Sequence, residues 1–307
     1  MMYLWLLVGF VLLIKGADFF VEGSSAAARL LRIPSVVIGL TIVAMGTSAP
    51  EAAVSISAGL AGKNEIALSN IIGSNIFNLL VVVGACACIR AFPVDKTIVK
   101  RDFPVCIFST IVLFVMMADG ILQRWEGVVL LVMMAAYLAY TVMQALRNRE
   151  VVQENELKSL SPFRSALYMA GGIAAVIWGG DMVVDSASAI ASSWGLSQTL
   201  IGLTIVAVGT SLPELVTSIA AARKGDSGLA IGNVIGSNIF NILFILGMSS
   251  GLTAIPVSPD AMVDIAVLAG FTLAVFIICK AKGKMSWRSG ALAIPAYLLF
   301  SAYIILR

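Results

Sequence analysis

One stretch of this sequence occurs twice, as IGLTIVAMGTSAPE at 38–51 and as IGLTIVAVGTSLPE at 201–214. Shifting the chain against itself by 163 positions aligns residues 37–84 with residues 200–247 without a gap and gives 27 identities in 48 pairs. An internal repeat of this length indicates that the chain contains two copies of one structural unit. Weaker matches continue upstream and pair Gly16 with Gly179, Asp18 with Asp181, and Glu22 with Asp185.

The composition places both copies in a membrane. Of the 307 residues, 60% are hydrophobic and 12% are charged, and the mean hydropathy is +1.00. So apolar a chain is predicted to be an all-α integral membrane protein, whose spanning helices each need roughly 20 apolar residues. The first run lacks a basic leader and a cleavage site, so we interpret it as a spanning helix. About ten apolar runs are present, near 3–24, 36–61, 65–89, 103–118, 125–146, 165–191, 199–222, 227–251, 261–279 and 288–306.

The distribution of Lys and Arg predicts the orientation, because cytoplasmic loops are enriched in positive charge. With the N-terminus outside, the outer side receives Lys63, Arg124 and Arg307, and Lys15 lies within the first helix. The net charge of +3 is therefore topological and does not indicate nucleic-acid binding. The inner side receives sixteen residues: Arg29, Arg32, Arg90, Lys96, Lys100, Arg101, Arg147, Arg149, Lys158, Arg164, Arg223, Lys224, Lys280, Lys282, Lys284 and Arg288.

The helix count per copy predicts how the copies are related. Five helices is an odd number, so the two copies cross the membrane in opposite directions and form an inverted repeat, which places a transporter's site at the midplane. We predict a first five-helix repeat at 1–146, a cytoplasmic linker at 147–164 and a second five-helix repeat at 165–307. The linker is too short to be a regulatory domain.

Each repeated motif places a Pro-Glu pair inside an apolar helix. Proline removes one helical hydrogen bond and displaces the carbonyl four residues earlier, which belongs to Gly46 for Pro50 and to Gly209 for Pro213. We expect the helix to unwind there and to present the carbonyl oxygens of residues 44–46 and of their counterparts. Membranes tolerate such backbone only where it is packed in protein or lines a cavity.

An acidic side chain accompanies each break. Thr47 and Glu51 stand at i and i+4 on one helical face, with Ser48 adjacent. A carboxylate at the centre of a spanning helix costs about 2.5–3.5 kcal/mol to insert, and no intramembrane Lys or Arg recurs beside both copies, which leaves a cation or a proton as the partner. Carboxylate, hydroxyl and carbonyl oxygens suit Ca²⁺ and Na⁺. The second copy repeats the set as Thr210, Ser211 and Glu214.

The next helix of each copy carries a polar stripe. Asn70, Ser74 and Asn78 stand at i, i+4 and i+8 on an otherwise apolar helix. Small residues four positions apart predict a close approach to a neighbouring helix; they are Ser69 with Gly73 and Gly232 with Gly236. We infer that two broken helices and two striped helices surround one central site. The second stripe consists of Asn233, Ser237 and Asn241.

The motifs GTSAPE and GTSLPE, each followed by GSNIFN, resemble those of the sodium/calcium exchanger family of the cation/calcium antiporter superfamily, in its compact prokaryotic form. The resemblance covers essentially the whole chain. It implies ten helices in inverted repeats with broken helices at the midplane, and a multi-pass plasma-membrane protein with both termini outside. It also implies a secondary antiporter that exchanges Na⁺ for Ca²⁺ by alternating access, with the first and sixth helices sliding, and with neither enzymatic activity nor a cofactor.

The resemblance also implies roles for particular residues. Glu51 and Glu214 would be the central Ca²⁺ ligands, with Thr47 and Thr210 contributing oxygens. Asn at both 78 and 241, where some relatives carry Asp, favours K⁺-independent exchange. Two glutamates would be neutralised by one Ca²⁺ but left at +1 by the three Na⁺ typical of the family, so transport would be electrogenic. The remaining ligands would be the carbonyls of Ala44 and Ala207 with Ser74 and Ser237 in flanking Na⁺ sites, Ser48 and Ser211 in the same region, and Asn78 and Asn241 in the middle.

Three alternatives remain. A proton/calcium antiporter of the same superfamily would use the same carboxylates, although its relatives typically carry Asn in place of the Thr-Ser pair. An intramembrane protease would need a general base near its nucleophile, and the chain has no histidine. A channel explains inverted repeats less well than alternating access does. The sequence identifies no partner beyond the two ions and the lipid bilayer, and a monomer is the working expectation.

Overall fold

The computed structural model describes residues 2–62, 64–147, 160–195 and 207–306, which are helical almost throughout. Most of the predicted linker therefore lies outside the described residues, as does the start of the seventh predicted span. We number the helices α1 Met2–Leu31, α2 Ser35–Thr47, α3 Ala49–Leu60, α4 Glu65–Ile89, α5 Phe103–Met116, α6 Arg124–Arg147, α7 Pro162–Ser193, α8 Leu212–Lys224, α9 Ser227–Leu252, α10 Pro259–Lys282 and α11 Trp287–Leu306.

Within the described part of the chain, seven of these helices are long and apolar enough to cross a membrane: α1, α4, α6, α7, α9, α10 and α11. The pair α2 and α3, bent by 49° relative to each other, makes an eighth span when taken together. The predicted all-α membrane architecture is confirmed. Of the other predicted spans, α5 is a shorter helix that follows a π-helical turn at Ile98–Asp102, and the seventh is described only from Ala207 onward.

Four short strands show that the repeats are inverted. They are β1 Phe92–Pro93, β2 Ile121–Leu122, β3 Ile255–Pro256 and β4 Lys284–Met285. The offset of 163 relates β1 to β3 and β2 to β4, yet β1 pairs with β4 and β2 pairs with β3. Strands β1 and β2 lie at opposite ends of α5, so β3, which pairs with β2, lies at the end opposite its own counterpart. Only an inverted arrangement of the two copies produces this exchange.

Helices α1 and α7, which are equivalent in the two repeats, pack against each other through glycines seven residues apart. A Cβ atom on Gly16 would lie 2.9 Å from the carbonyl oxygen of Gly172, and one on Gly179 would lie 2.8 Å from that of Gly9. A Cβ on Gly23 would lie 2.8 Å from the carbonyl of Ser165. Because no side chain separates the two backbones at these positions, α1 and α7 pack closely along their length.

Helices α4 and α9 form the centre of the molecule. Their most apolar windows are 78% and 94% buried, whereas that of α11 is 11% buried. The close approach predicted for the small residues of α9 is confirmed, because a Cβ on Gly236 would lie 2.7 Å from Leu40 Cα in α2. For Gly73 of α4, no atom of the described residues would lie within 4 Å of a Cβ. Its symmetry-related neighbour would be the counterpart of α2, which lies outside the described residues.

Candidate cation site

The first broken span is interrupted at a single residue. Ser48 separates α2 from α3 with φ −81° and ψ 10°, and Pro50 occupies the first turn of α3, where its missing N–H costs no hydrogen bond. The prediction that residues 44–46 unwind is wrong, since Ala44–Thr47 is helical and the Ala44 carbonyl accepts the Ser48 N–H at 3.0 Å. Starting a new helix before the proline confines the break to Ser48. Ser211 repeats this geometry before α8, with φ −92° and ψ 6°.

Glu51 lies in the first turn of α3 and Glu214 lies in the first turn of α8, and both are fully buried. Each is bonded by the serine at the break of the other repeat. The Ser48 hydroxyl donates to Glu214 Oε1 at 2.7 Å, and the Ser211 hydroxyl donates to Glu51 Oε1 at 2.9 Å. Since a serine and the glutamate three residues later share one helix start, these crossed bonds bring the two carboxylates together at the interface between the repeats.

The other predicted oxygens surround this pair. Ser74 Oγ lies 3.5 Å from Glu51 Oε1, and Ser237 Oγ lies 3.4 Å from Glu214 Oε1 and 3.5 Å from the Ala44 carbonyl. The Thr47 hydroxyl donates to Asn233 Oδ1 at 3.1 Å, and the Thr210 hydroxyl lies 3.5 Å from Asn70 Oδ1. The structure therefore gathers side chains from both copies of both motifs. Ala207 begins the short helical segment Ala207–Gly209 ahead of the second break.

Two asparagines that the sequence reasoning passed over join α4 to α9. Asn75 Nδ2 donates to the Asn238 carbonyl at 3.2 Å, and Asn238 Nδ2 donates to the Asn75 carbonyl at 3.1 Å. Asn78 Nδ2 donates to Asn238 Oδ1 at 3.1 Å, and Asn241 Nδ2 donates to Asn75 Oδ1 at 2.9 Å. Their position inside the repeated GSNIFN could have indicated them, but helical spacing placed Asn75 one residue off the stripe.

Asn78 and Asn241 each begin a π-helical turn, Asn78–Val82 in α4 and Asn241–Leu246 in α9. Such turns are rare and occur frequently at functional sites because they widen the helix and redirect a side chain. The same distortion at equivalent positions of both copies places the two amides where α4 meets α9. No sequence signal that we used predicted these turns.

Four buried oxygens in this cluster accept no hydrogen bond from the described residues: Glu51 Oε2, Glu214 Oε2, Asn78 Oδ1 and Asn241 Oδ1. They form two pairs related by the internal repeat. Among the described residues, neither glutamate has a Lys or Arg within ion-pair distance. A carboxylate or amide oxygen offers only lone pairs, and burying it unpaired is costly. The donor set therefore fits a hard cation held by oxygen atoms.

A cavity of about 550 Å³ lies beside the two helix breaks. Pro50, Gly209, Thr210 and Pro213 line it on the side of the site. The part of its wall formed by α7 carries Gly180 and two exposed acids, Asp181 and Asp185. These are the two acids that the upstream part of the internal repeat pairs with Asp18 and Glu22. Asp181 and Asp185 stand in the half of α7 remote from the linker, so the cavity lies beside the breaks on the side opposite the linker.

A model of the sodium/calcium exchanger protein family matches residues 1–143 and again residues 164–306. The chain belongs to the sodium/calcium exchanger family. Both halves match, in agreement with the internal repeat, so the family assignment predicted from the motifs is confirmed. Members of this family are transmembrane antiporters, and cation/Ca²⁺ antiport is the activity that the family assignment supports.

This chain is similar over most of its length to two curated relatives and to a solved structure. It is 33% identical over 286 residues to the sodium/calcium exchanger MaX1 of Methanosarcina acetivorans, with 80% of this chain and 82% of MaX1 covered. It is 34% identical over 309 residues to the inner membrane protein YrbG of Escherichia coli, with 97% and 95% covered. Its structure resembles that of the sodium-calcium exchanger NCX_Mj soaked with 10 mM Na⁺ and zero Ca²⁺, at TM-score 0.88 and 35% identity, with 98% and 99% covered.

Proposed function

We propose that this protein exchanges Na⁺ for Ca²⁺ across the membrane by alternating access, without K⁺ and with net movement of charge. The observation that carries the proposal is a set of four buried oxygens, two from glutamates and two from asparagines, that accept no hydrogen bond from the part of the chain that the structure describes. Relatives support the choice of ions, since MaX1 is named a sodium/calcium exchanger and NCX_Mj has been soaked with Na⁺, Ca²⁺ and Sr²⁺.

The hydroxyl pairs at the two breaks favour Na⁺ over H⁺ as the coupling ion. Relatives that exchange Ca²⁺ for H⁺ typically carry Asn in place of the Thr-Ser pair, whereas this chain has Thr47-Ser48 and Thr210-Ser211. A metal cation draws ligands from carboxylate, hydroxyl and amide oxygens alike. A protonated carboxyl would instead donate a hydrogen bond to an acceptor such as an amide oxygen, so a comparison of Na⁺ and pH gradients decides between the two ions.

In this proposal Ca²⁺ is held at the centre by Glu51 and Glu214, with further oxygens from Thr47 and Thr210. The Ser48 hydroxyl donates to Glu214 and the Ser211 hydroxyl donates to Glu51. Na⁺ competes for the same carboxylates and uses flanking oxygens. The flanking oxygens are those of Ser74, Ser237 and the carbonyls of Ala44 and Ala207, and the amides of Asn78 and Asn241 occupy the middle.

The charge of the proposed ligands determines how much net charge each transport cycle moves. Two carboxylates with neutral hydroxyl and amide neighbours carry two negative charges, which one Ca²⁺ cancels and three Na⁺ exceed by one. Each unit charge moved through the membrane potential changes the free energy by about 2.3 kcal/mol per 100 mV. Asn rather than Asp at 78 and 241 leaves no further carboxylate to neutralise, which supports K⁺-independent exchange.

The decisive experiment is Ca²⁺ uptake into proteoliposomes loaded with Na⁺ and diluted into Na⁺-free medium, with choline-loaded vesicles carrying a pH gradient as the comparison. We expect uptake only with the Na⁺ gradient, and faster uptake at an inside-positive potential, because three Na⁺ leaving for each Ca²⁺ that enters carry one net positive charge outward. Adding K⁺ should not change the rate. Uptake driven by the pH gradient would transfer the site to Ca²⁺/H⁺ antiport.

Glu51→Gln supplies the inactive control, because it removes a charge while keeping the shape of the side chain. Glu126→Gln supplies the matched control, since Glu126 is also a buried acid but accepts the Gln123 N–H at the start of α6, outside the site. We expect Glu51→Gln to abolish uptake and Glu126→Gln to retain it. Loss of uptake in both variants would point to misfolding and not to a lost ligand.

We further propose a plasma-membrane location with both termini outside, on the basis of the positive charge of the predicted inner loops. The inner membrane protein YrbG is consistent with this location. In a bacterial host, alkaline phosphatase fused after the C-terminus should be active and alkaline phosphatase fused after Arg147 should be inactive. The reverse result would invert the assignment.

A further inference from the structure

We propose that Asn75 and Asn238 are positioning residues, which turn the side-chain oxygens of Asn241 and Asn78 toward the cation. The inference rests on the proposed cation site and specifies how its two neutral ligands are oriented. Neither Asn75 nor Asn238 is itself among the four residues with unpaired oxygens. Both side chains are almost fully buried where α4 meets α9.

The orientation of the first two amides follows from the backbone. A carbonyl oxygen only accepts hydrogen bonds, so the atom of Asn75 that lies 3.2 Å from the Asn238 carbonyl is the Nδ2 donor. The same reasoning applies to Asn238, whose Nδ2 lies 3.1 Å from the Asn75 carbonyl. These two reciprocal bonds leave Asn75 Oδ1 and Asn238 Oδ1 as the atoms that face the next pair of amides.

The orientation of the second pair follows from the first. Because Asn75 Oδ1 only accepts, the atom of Asn241 that meets it at 2.9 Å is Nδ2. Asn238 Oδ1 selects Asn78 Nδ2 at 3.1 Å in the same way. Asn78 Oδ1 and Asn241 Oδ1 are therefore turned away from this contact, and both are buried without a donor from the described residues.

Such selection matters because the two ends of an amide are nearly equal in shape and opposite in polarity. Rotating Asn241 by half a turn would replace an acceptor oxygen with an NH₂ group, which repels a cation. Packing alone does not distinguish the two states, whereas the acceptor of Asn75 does. A carboxylate at position 241 would need no such selection, since its two oxygens are equivalent.

The test is a double-mutant cycle between positions 75 and 241. Asn75→Leu keeps the approximate size of the side chain and removes the acceptor. We expect it to raise the half-saturating Ca²⁺ concentration by about tenfold, the effect of losing one hydrogen bond to a ligand, with a smaller change in the maximal rate. In an Asn241→Asp background, the same substitution should leave it unchanged or lower it, because either carboxylate oxygen can face the cation and the Asn75 acceptor only repels the other one.

The symmetry-related cycle, Asn238→Leu with Asn78→Asp, repeats the test on the other copy and keeps it decisive if one variant fails to fold. A merely structural role for Asn75 and Asn238 predicts the same fold-change with Asn or Asp at the partner position, and that result would overturn the proposal. So would an unchanged half-saturation in both single variants.

Binding is read separately from transport by following thermal unfolding of the purified protein during titration with CaCl₂ or NaCl. If the parent binds Ca²⁺ but Na⁺ does not drive uptake, the proposed exchange fails, while the cycle in binding still decides the role of the asparagines. If neither salt stabilises the parent, the cation site and the positioning role fail together.

Discussion

Ser48 and Ser211 each have two roles. Each serine lies outside helical geometry at its break, immediately before the helix that carries the glutamate, and its hydroxyl donates to the glutamate of the opposite repeat. Ser48 therefore depends on Glu214 and Ser211 on Glu51. Neither half of the site is complete without the other, which explains why the family's motif is present in both copies.

Removing either hydroxyl should weaken cation binding to a similar extent. Ser48→Ala and Ser211→Ala each delete one hydrogen bond to a carboxylate, at 2.7 Å and 2.9 Å. We expect the half-saturating Ca²⁺ concentration to rise by about tenfold in each, since hydrogen bonds to charged groups contribute about 1.5–3 kcal/mol and part of that is recovered by the cation. Uptake kinetics in proteoliposomes measure it.

Ser109→Ala is the matched control, because Ser109 is a buried serine whose hydroxyl donates to the Val105 carbonyl within α5, away from the glutamates. It should leave the Ca²⁺ dependence unchanged. A large effect of Ser48→Ala with none for Ser211→Ala would contradict the symmetric site.

At the scale of the helices, two adjacent glycines of α7 allow an effect of helix packing to be distinguished from an effect of helix propensity. A Cβ on Gly172 would lie 2.5 Å from the Phe20 nitrogen of α1, whereas a Cβ on Gly171 would meet no atom of the described residues within 4 Å. The glycines that pack α1 against α7 therefore do so through their missing side chains, and a neighbouring glycine has no such role.

Gly172→Ala should destabilise the protein and Gly171→Ala should not. The first forces two backbones apart, at about 1–3 kcal/mol for overpacking, while the second gains about 0.5–1 kcal/mol from the better helix propensity of alanine. The melting temperature of the detergent-solubilised protein measures both. Equal melting temperatures would show that α1 and α7 do not pack through Gly172.

On the linker side of the molecule, which is the side where α7 begins, hydrogen bonds connect α1 to the core. Asp226, between α8 and α9, accepts hydrogen bonds from Ser25 of α1 at 2.7 Å and from Ser35 of α2 at 2.6 Å. Lys224 adds a contact to the Asp18 carbonyl of α1. On the opposite side, Ser188, the counterpart of Ser25, has no partner among the described residues. The described contacts thus connect α1 to the core on the linker side, while the cavity lies on the other side.

At the scale of the whole molecule, cross-linking tests whether α1 must separate from the core during transport. In a background without the four native cysteines, Ser25→Cys with Asp226→Cys, joined by a short bifunctional thiol reagent, should stop Ca²⁺ uptake because α1 can no longer leave the core. Reduction should restore it when the reagent forms mixed disulfides.

Joining Phe19→Cys to Tyr168→Cys is the control, since these rings, 5.1 Å apart between centroids, already connect α1 to α7. This cross-link should preserve uptake if the two helices move together. Inhibition by the control and activity of the first cross-link would together contradict alternating access by this pair.

Much of this protein is determined by its sequence because the signals are local. Apolar runs of membrane length specify the helices, an odd number of spans per copy specifies the inversion, and a carboxylate beside a proline in lipid requires a cationic partner. Each of these follows from neighbouring residues alone. The buried pair Glu51 and Glu214 and the polar stripe of α4 could be predicted in this way.

What only the tertiary structure decided lies between the copies. The sequence shows that Ser48 resembles Ser211, but the repeat does not encode that Ser48 bonds Glu214 instead of its own Glu51. Helical spacing likewise placed Asn75 off the polar stripe, and only the crossing of α4 and α9 brings it to Asn238 and Asn241. Contacts across a pseudo-two-fold axis depend on how the two copies are placed, which no local pattern specifies.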